Sequence, residues 1–288
     1  MMQPAIELIE ASKHYDQFTL DRLSLTVPQG SVVGFIGENG AGKTTTIKAI
    51  CGLIHLDAGQ VRILGQDVAQ EGERAREQLG VMLDGSFFNG RYRAKEIDEV
   101  LASIHPHWDR AGFRSLLERL HLPYNQAIKT FSRGMRVKLS LATALSHHPR
   151  ILLLDEPTSG LDPIARSEVL DILYTFMQDE THSILLSSHI TTDLEKIADY
   201  IVMIHRGKMC LDCSKDVLLD THGLLQGPRH AIEAVDPAYI VAVRHGSFGS
   251  EALVNNRAAV QRQLPQGAVL ERCNLEQIME FYVEGLER

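Results

Sequence analysis

The residues with most chemistry in them are Gly37-Glu38-Asn39-Gly40-Ala41-Gly42-Lys43-Thr44, followed by Thr45. Their spacing is G-x-x-x-x-G-K-[ST], in which the glycines let the backbone curl until successive N–H groups face one centre. The apolar run Val32-Val33-Gly34-Phe35-Ile36 before it reads as a buried strand, and Thr45 to Ile50 after it as the first turns of a helix. A helix N-terminus adds its dipole to such a nest, which suits the loop to phosphate. In that setting Lys43 reaches the β- and γ-phosphates and the Thr44 hydroxyl binds Mg2+.

A second element lies downstream. Ile151-Leu152-Leu153-Leu154 is an apolar strand that ends in Asp155-Glu156. Taken alone, two acids after a strand also fit a solvated strand end. Beside a phosphate loop, the first acid is placed to hold Mg2+ and the second to act as general base on an attacking water.

The elements that must carry these residues follow from period and punctuation. Short β-type runs, Ile6 to Ile9 and Leu23 to Val27, precede the loop, and Val61 to Leu64 follows it. Between about 93 and 148 the signal is helical. Ile97, Val100, Leu101 and Ile104 lie at helical spacing, as do Phe113, Leu116, Leu117 and Leu120. Asp162-Pro163 opens a helix, with Asp as N-cap and Pro at the first helical position. Its apolar stripe is Val169, Leu170, Leu173, Phe176 and Met177. Ser183 to Ser187 and Ile201 to Ile204 are further buried strands, and Thr192-Asp193-Leu194-Glu195 reads as a capping box. Near-continuous apolar strands alternating with helices imply a largely parallel sheet covered on both faces. Beyond Val217 the texture loosens, and Asn274 to Arg288 reads as a closing amphipathic helix marked by Leu275, Ile278, Met279 and Tyr282.

Composition bounds the function classes. The chain has 288 residues, 44% hydrophobic and 23% charged, with a net charge of −8. That balance argues against a broad nucleic-acid face. No run approaches a membrane span and no secretory signal opens the chain, so a cytoplasmic protein is expected unless a partner holds it at a membrane. Cys210-Leu211-Asp212-Cys213 has redox or metal spacing, but it follows a strand-joining turn at Arg206-Gly207-Lys208 and lacks a second pair. Placement near a strand end explains it more simply.

With these elements in place, residues 5 to 215 resemble the ATP-binding subunits of ABC transporters. Asp155-Glu156-Pro157-Thr158-Ser159-Gly160-Leu161-Asp162 looks like that family's Walker B strand running into its D-loop. Ser187-Ser188-His189 falls where the family places its switch histidine. Phe131-Ser132-Arg133-Gly134-Met135 falls where it keeps its signature motif, and Tyr15 where an aromatic residue stacks on adenine. Each residue also has a structural reading: His189 as a polar residue before a helix, Ser132 and Asp162 as helix caps, Tyr15 as packing. The order of the elements is what outweighs these readings.

The resemblance implies an α/β P-loop NTPase. A RecA-like core would carry an antiparallel β subdomain and a helical subdomain inserted near 86–148. An ATP-binding domain over 1–217 and a small C-terminal α+β domain over 218–288 are expected. It further implies a head-to-tail dimer with itself or a homologous subunit, in which Ser132 and Gly134 of one copy face Lys43 and Thr44 of the other. Glu156, His189 and Lys43 would be catalytic, with ATP as substrate and Mg2+ as cofactor. The implied partner is a separately encoded transmembrane permease, which would hold the chain peripherally on the inner face of the membrane.

Two departures stand out. Arg133 replaces a signature glycine, and Leu83-Asp84 stands where the family has a glutamine, so Asp84 is a candidate Mg2+ contact. Together with a tail of about 70 residues, these look like the branch paired with ABC-2-type membrane subunits, which resembles ATPases of bacitracin, peptide and small-molecule export. The rivals are a soluble ABC ATPase acting on a protein or ribonucleoprotein, and a module that senses ATP without hydrolysing it.

Overall fold

Alternation between two cores organises the main sheet. In the computed structural model, which describes residues 3–84, 88–246 and 249–286, the chain opens with an antiparallel hairpin, β1 (Ile6–Tyr15) and β2 (Phe18–Val27). β3 (Val32–Ile36) and α1 (Lys43–Ile50) follow, then β4 (Ala58–Ile63), β5 (Gln66–Asp67), α2 (Gly72–Glu77) and β6 (Leu79–Met82). Three helices come next, α3 (Ala94–Ile104), α4 (Arg110–Arg119) and α5 (Arg133–Leu145). β7 (Ile151–Asp155), α6 (Pro163–Phe176), β8 (Ser183–Ser187), α7 (Thr191–Ile197), β9 (Tyr200–His205) and β10 (Lys208–Ser214) complete the main sheet and its helices. Beyond it lie α8 (Lys215–Thr221), β11 (Gly223–Gly227), α9 (Arg229–Glu233), β12 (Ile240–Gly246), β13 (Gly249–Val254), α10 (Arg257–Arg262), β14 (Val269–Glu271) and α11 (Leu275–Leu286).

The main sheet has the order β10-β9-β3-β8-β7-β6, parallel throughout except for the edge strand β10. Ile36, Leu152, Leu154, Ile184, Leu186 and Ile201 point into one core, and Val33, Phe35, Leu153, Leu185, Val202 and Ile204 into the other. Both faces are buried, which is why these strands read as unbroken apolar runs rather than alternating ones. Truncating a central residue such as Leu153, fully buried, would cost about 2–5 kcal/mol.

A second, antiparallel sheet, β2-β1-β4-β5, packs on the face that carries α1. The Arg206-Gly207 turn between β9 and β10 ties it to the phosphate loop. Asp21 donates its N–H to the Gly207 carbonyl (3.0 Å), and Gly207 donates its own to the Ala41 carbonyl (2.9 Å).

Helices α3, α4 and α5 fill the stretch expected near 86–148, of which residues 86 and 87 lie outside the described residues. Their hub is Asp98, fully buried, which accepts from Trp108 Nε1 (2.9 Å) and the Tyr124 hydroxyl (2.8 Å). The helical spacing is correct, but its apolar face is only partly used: Ile97 is buried while Val100 and Ile104 face outward.

The third sheet, β12-β13-β11-β14, is antiparallel. One of its faces packs on α11, whose Leu275, Ile278 and Phe281 share a core with Leu194, Ile197 and Ala198 of the α7 region. Glu195 on α7 accepts the Leu275 N–H at 2.6 Å, so the main sheet's own helix caps α11. Residues 287 and 288, which the expected closing helix included, lie outside the described residues.

The capping box expected at Thr192 is not formed. α7 begins at Thr191 with Ile190 as its N-cap, two residues before the expected cap, and it has no side-chain cap. Both groups of the expected box are drawn to tertiary partners: the Thr192 hydroxyl accepts from Arg166, and the Glu195 carboxylate goes to Leu275. The Cys210 and Cys213 thiols are free, and a register shift between Met209 and Leu211 lets both pack against the core despite their odd spacing. Burial pushes both thiols above their ordinary value, away from the reactive thiolate.

Candidate functional site

The carboxyl ends of the parallel strands converge on one cleft of about 410 Å3, lined by Tyr15, Phe18, Glu38, Asn39, Gly40, Gly42, Lys43, Thr44, Thr45, Asp84, Asp155 and Glu156. β3 delivers the loop that holds Gly37 to Gly42, and α1 starts on Gly42 with no side-chain cap. The first residues of α1, Lys43, Thr44 and Thr45, line the cleft, and no side chain caps the helix start. Gly40 adopts φ +83°, and a Cβ placed there would meet no heavy atom within 4 Å. Gly42, at φ +120°, is different: its Cβ would come within 2.9 Å of Phe18. One glycine supplies the turn and the other the close approach.

Lys43 is buried at 6% exposure, and its Nζ donates to the Gly37 carbonyl (2.7 Å) and the Glu38 carbonyl (3.3 Å). Thr44 Oγ1 donates to Asp155 Oδ2 at 2.8 Å, joining the loop to the tip of β7. Between β3 and β7 in the sheet lies β8, whose last residue, Ser187, donates its hydroxyl to Asp155 Oδ1 and accepts from the Glu156 N–H (3.2 Å). The tip of β8 and the start of α1 thus fix the acids at the tip of β7.

Glu156 is held in the left-handed region at φ +53°, a conformation that costs about 1–3 kcal/mol in a non-glycine residue and collects at functional sites. Its Oε2 accepts from His189 Nδ1 at 2.6 Å, and its Oε1 lies 3.6 Å from Lys43 Nζ. Oε1 is buried and, among the described residues, has no hydrogen-bond partner. An orphaned carboxylate oxygen beside a lysine, in a cleft that Gly40 also lines, fits a water and a phosphate group. Thr44, Asp155 and Asp84 supply hard oxygen donors to the same cleft. Among the described residues no cluster of three or more His, Cys, Asp or Glu side chains could hold a metal by itself. Such a donor set fits Mg2+ held jointly by one or two protein oxygens and by phosphate.

Of the expected site residues, Tyr15, Glu38, Asn39, Gly40, Gly42, Lys43, Thr44, Thr45, Asp84, Asp155 and Glu156 line this cleft, and His189 touches it through Glu156. Gly37 and Ala41 shape the loop from behind, the former packed on the Ile204 carbonyl. Ser132, Gly134 and Asp162 are not part of it. Ser132 caps α5, accepting from the Met135 N–H (3.2 Å), and Asp162 caps α6, accepting from Ile164 and Ala165 (3.0 Å each). The two helix starts adjoin: Gly134 packs on Ala165, and the Arg133 guanidinium lies against Gly160. Arg133 therefore turns onto its own chain's loop.

Two contributors escape a reading of the sequence. Phe18 lines the cleft because the hairpin registers it opposite Tyr15, their rings 6.5 Å apart. Ser187 reads in the sequence as a strand end and the first residue of Ser187-Ser188-His189; its grip on Asp155 and Glu156 comes from strand register alone.

A nucleotide-sized cleft at the carboxyl ends of a parallel sheet, with a glycine loop, a buried lysine and two acids at a strand tip, defines a P-loop nucleoside triphosphatase. The ABC transporter family model matches residues 20–159. The chain is 34% identical over 214 residues to the bacitracin transport ATP-binding protein BcrA of Bacillus licheniformis, covering 72% of this chain and 69% of that protein. It is 33% identical over 224 residues to the daunorubicin resistance ATP-binding protein DrrA3 of Streptomyces coeruleorubidus, covering 76% and 71%. A solved ATP-binding subunit of an ABC transporter superposes with a TM-score of 0.68 at 28% identity, over 75% of this chain and 92% of that one. The chain belongs to the ATP-binding proteins of ABC transporters, and as such it binds and hydrolyses ATP. Among the described residues no helix is long and apolar enough to cross a membrane.

Proposed function

We propose that this chain is the motor of an exporter, driving a separately encoded membrane permease from the inner face of the membrane. What supports export is similarity to proteins named for bacitracin transport and daunorubicin resistance. The observation that carries the mechanism is the line Lys43–Glu156–His189, in which one carboxylate is gripped on one oxygen and left open on the other. Glu156 Oε1 takes the proton of the attacking water, while His189 fixes the carboxylate through Oε2. Lys43 leaves its carbonyl partners to pair with the β- and γ-phosphates, the α1 N–H groups cradle them, and Tyr15 with Phe18 flanks the base. Mg2+, when bound, neutralises charge on the phosphates; Thr44, Asp155 and Asp84 are the residues that would hold it.

Residues 1–217 form the ATP-binding unit on this reading, with 218–288 as an accessory unit. Two copies, or one copy and a homologous subunit, pair head to tail so that Ser132, Gly134 and Asp162 of one approach the phosphate loop of the other. Nucleic acid is not a partner, in keeping with the net charge of −8. The test is co-expression with an ABC-2-type permease. A complex whose ATPase activity disappears in Glu156→Gln supports the reading, and a lone ATPase that never associates with membranes rejects it. Asp84→Asn should shift the Mg2+ dependence of turnover; an unchanged dependence would remove Asp84 from the metal's contacts.

A further inference from the structure

Helix α7, which follows the switch loop of His189, has no side-chain cap of its own, and its first turn is held from α6. Arg166 Nε donates to Asp193 Oδ1 at 2.6 Å, and Arg166 Nη2 donates to Thr192 Oγ1 at 2.7 Å. Asp193 is fully buried, and its second oxygen has no partner among the described residues. A buried carboxylate satisfied on one side only makes Arg166, the one cation paired with it among the described residues, indispensable to the position of the helix that carries it.

Arg166 stands one helical turn beyond the cap residue Asp162, to whose carbonyl its own N–H donates (3.0 Å). At the other end of the connection, His189 lies two residues before α7 and is bonded to Glu156. We infer that Arg166 is a positioning residue that couples the Asp162 loop to the switch histidine, so that seating of the Asp162 end sets His189 against Glu156. The guanidinium is suited to this because its planar fork fixes two acceptors, on successive residues of α7, in one orientation, which a point charge does not. The inference rests on the roles proposed above for Asp162 and His189.

The test compares Arg166→Met, Arg166→Lys and the double variant Arg166→Met/Asp193→Leu with His189→Ala in the full-length protein, reading kcat and KM for MgATP alongside the melting temperature. Loss of alignment predicts kcat lower by about tenfold or more, with KM for ATP held within about twofold. Arg166→Lys should recover part of kcat. The double variant removes the stranded buried charge, so its melting temperature should return toward that of the parent while kcat stays low. A double variant with full turnover, next to an inactive His189→Ala, would overturn the coupling and leave only a structural ion pair. Normal turnover in His189→Ala would sink the assignment of His189 itself, and the coupling with it.

Discussion

Around the phosphate loop the functional side chains already touch one another, whereas Ser132 and Asp162 each bond to the backbone of the helix they open. Lys43, Thr44, Asp155, Glu156 and His189 form a chain of contacts in a cleft. Ser132 and Asp162 spend their oxygens on the first N–H groups of α5 and α6. One region is a nearly complete phosphate site and the other holds two capped helix ends side by side. The contrast makes sense if the second region acts on a site that its own chain does not contain.

The strongest break in that comparison is Glu156→Gln. Turnover should fall by about 10²–10⁴-fold while ATP binding persists, read by single-turnover hydrolysis beside equilibrium binding. Near-normal turnover would remove Glu156 as the base. A mixing experiment comes next: Lys43→Ala and Ser132→Ala should each be almost inactive alone. Combined, they should regain roughly a quarter of parental activity, because random pairing into a two-fold dimer leaves one intact site in half the dimers. No recovery would mean that Ser132 serves its own phosphate loop, or none.

Smaller in effect, Asp162→Ala should lower stability by about 1 kcal/mol through the lost α6 cap, seen as a lower denaturation midpoint. Gentler still is the response to acid. His147, at the far end of the helix that Ser132 opens, is held below its ordinary pKa of 6.5, chiefly by burial. The unfolded chain therefore takes up a proton first, and the contribution present above pH 6.5 is lost as pH falls from there toward the folded value. His147→Gln should flatten that slope between pH 7 and 5; an equal slope in both proteins would assign it to other groups.

The same two regions differ in how far their residues could be read from the chain alone. The phosphate loop is one contiguous octapeptide whose backbone does the work, and Asp155-Glu156 ends a strand with an unmistakable apolar run. The α/β order and the buried parallel strands were legible for the same reason. α7 was not, because Thr192 and Glu195 have the spacing of a local cap while Arg166 and Leu275, distant in sequence, compete for them and win. Phe18 escaped notice because only strand register brings it to Tyr15, and Val100 with Ile104 shows that helical spacing alone does not say which face another element covers.

The cap that Glu195 places on α11 has a consequence for how this chain can be rearranged. The closing helix lays Leu275, Ile278 and Phe281 into the same core as Leu194 and Ile197. A chimera that took its last 71 residues from a relative would have to bring a matching α7 face with it. Mutational or evolutionary exchange of the tail is therefore tied to the segment that follows the switch histidine, and the two should be inherited as a pair.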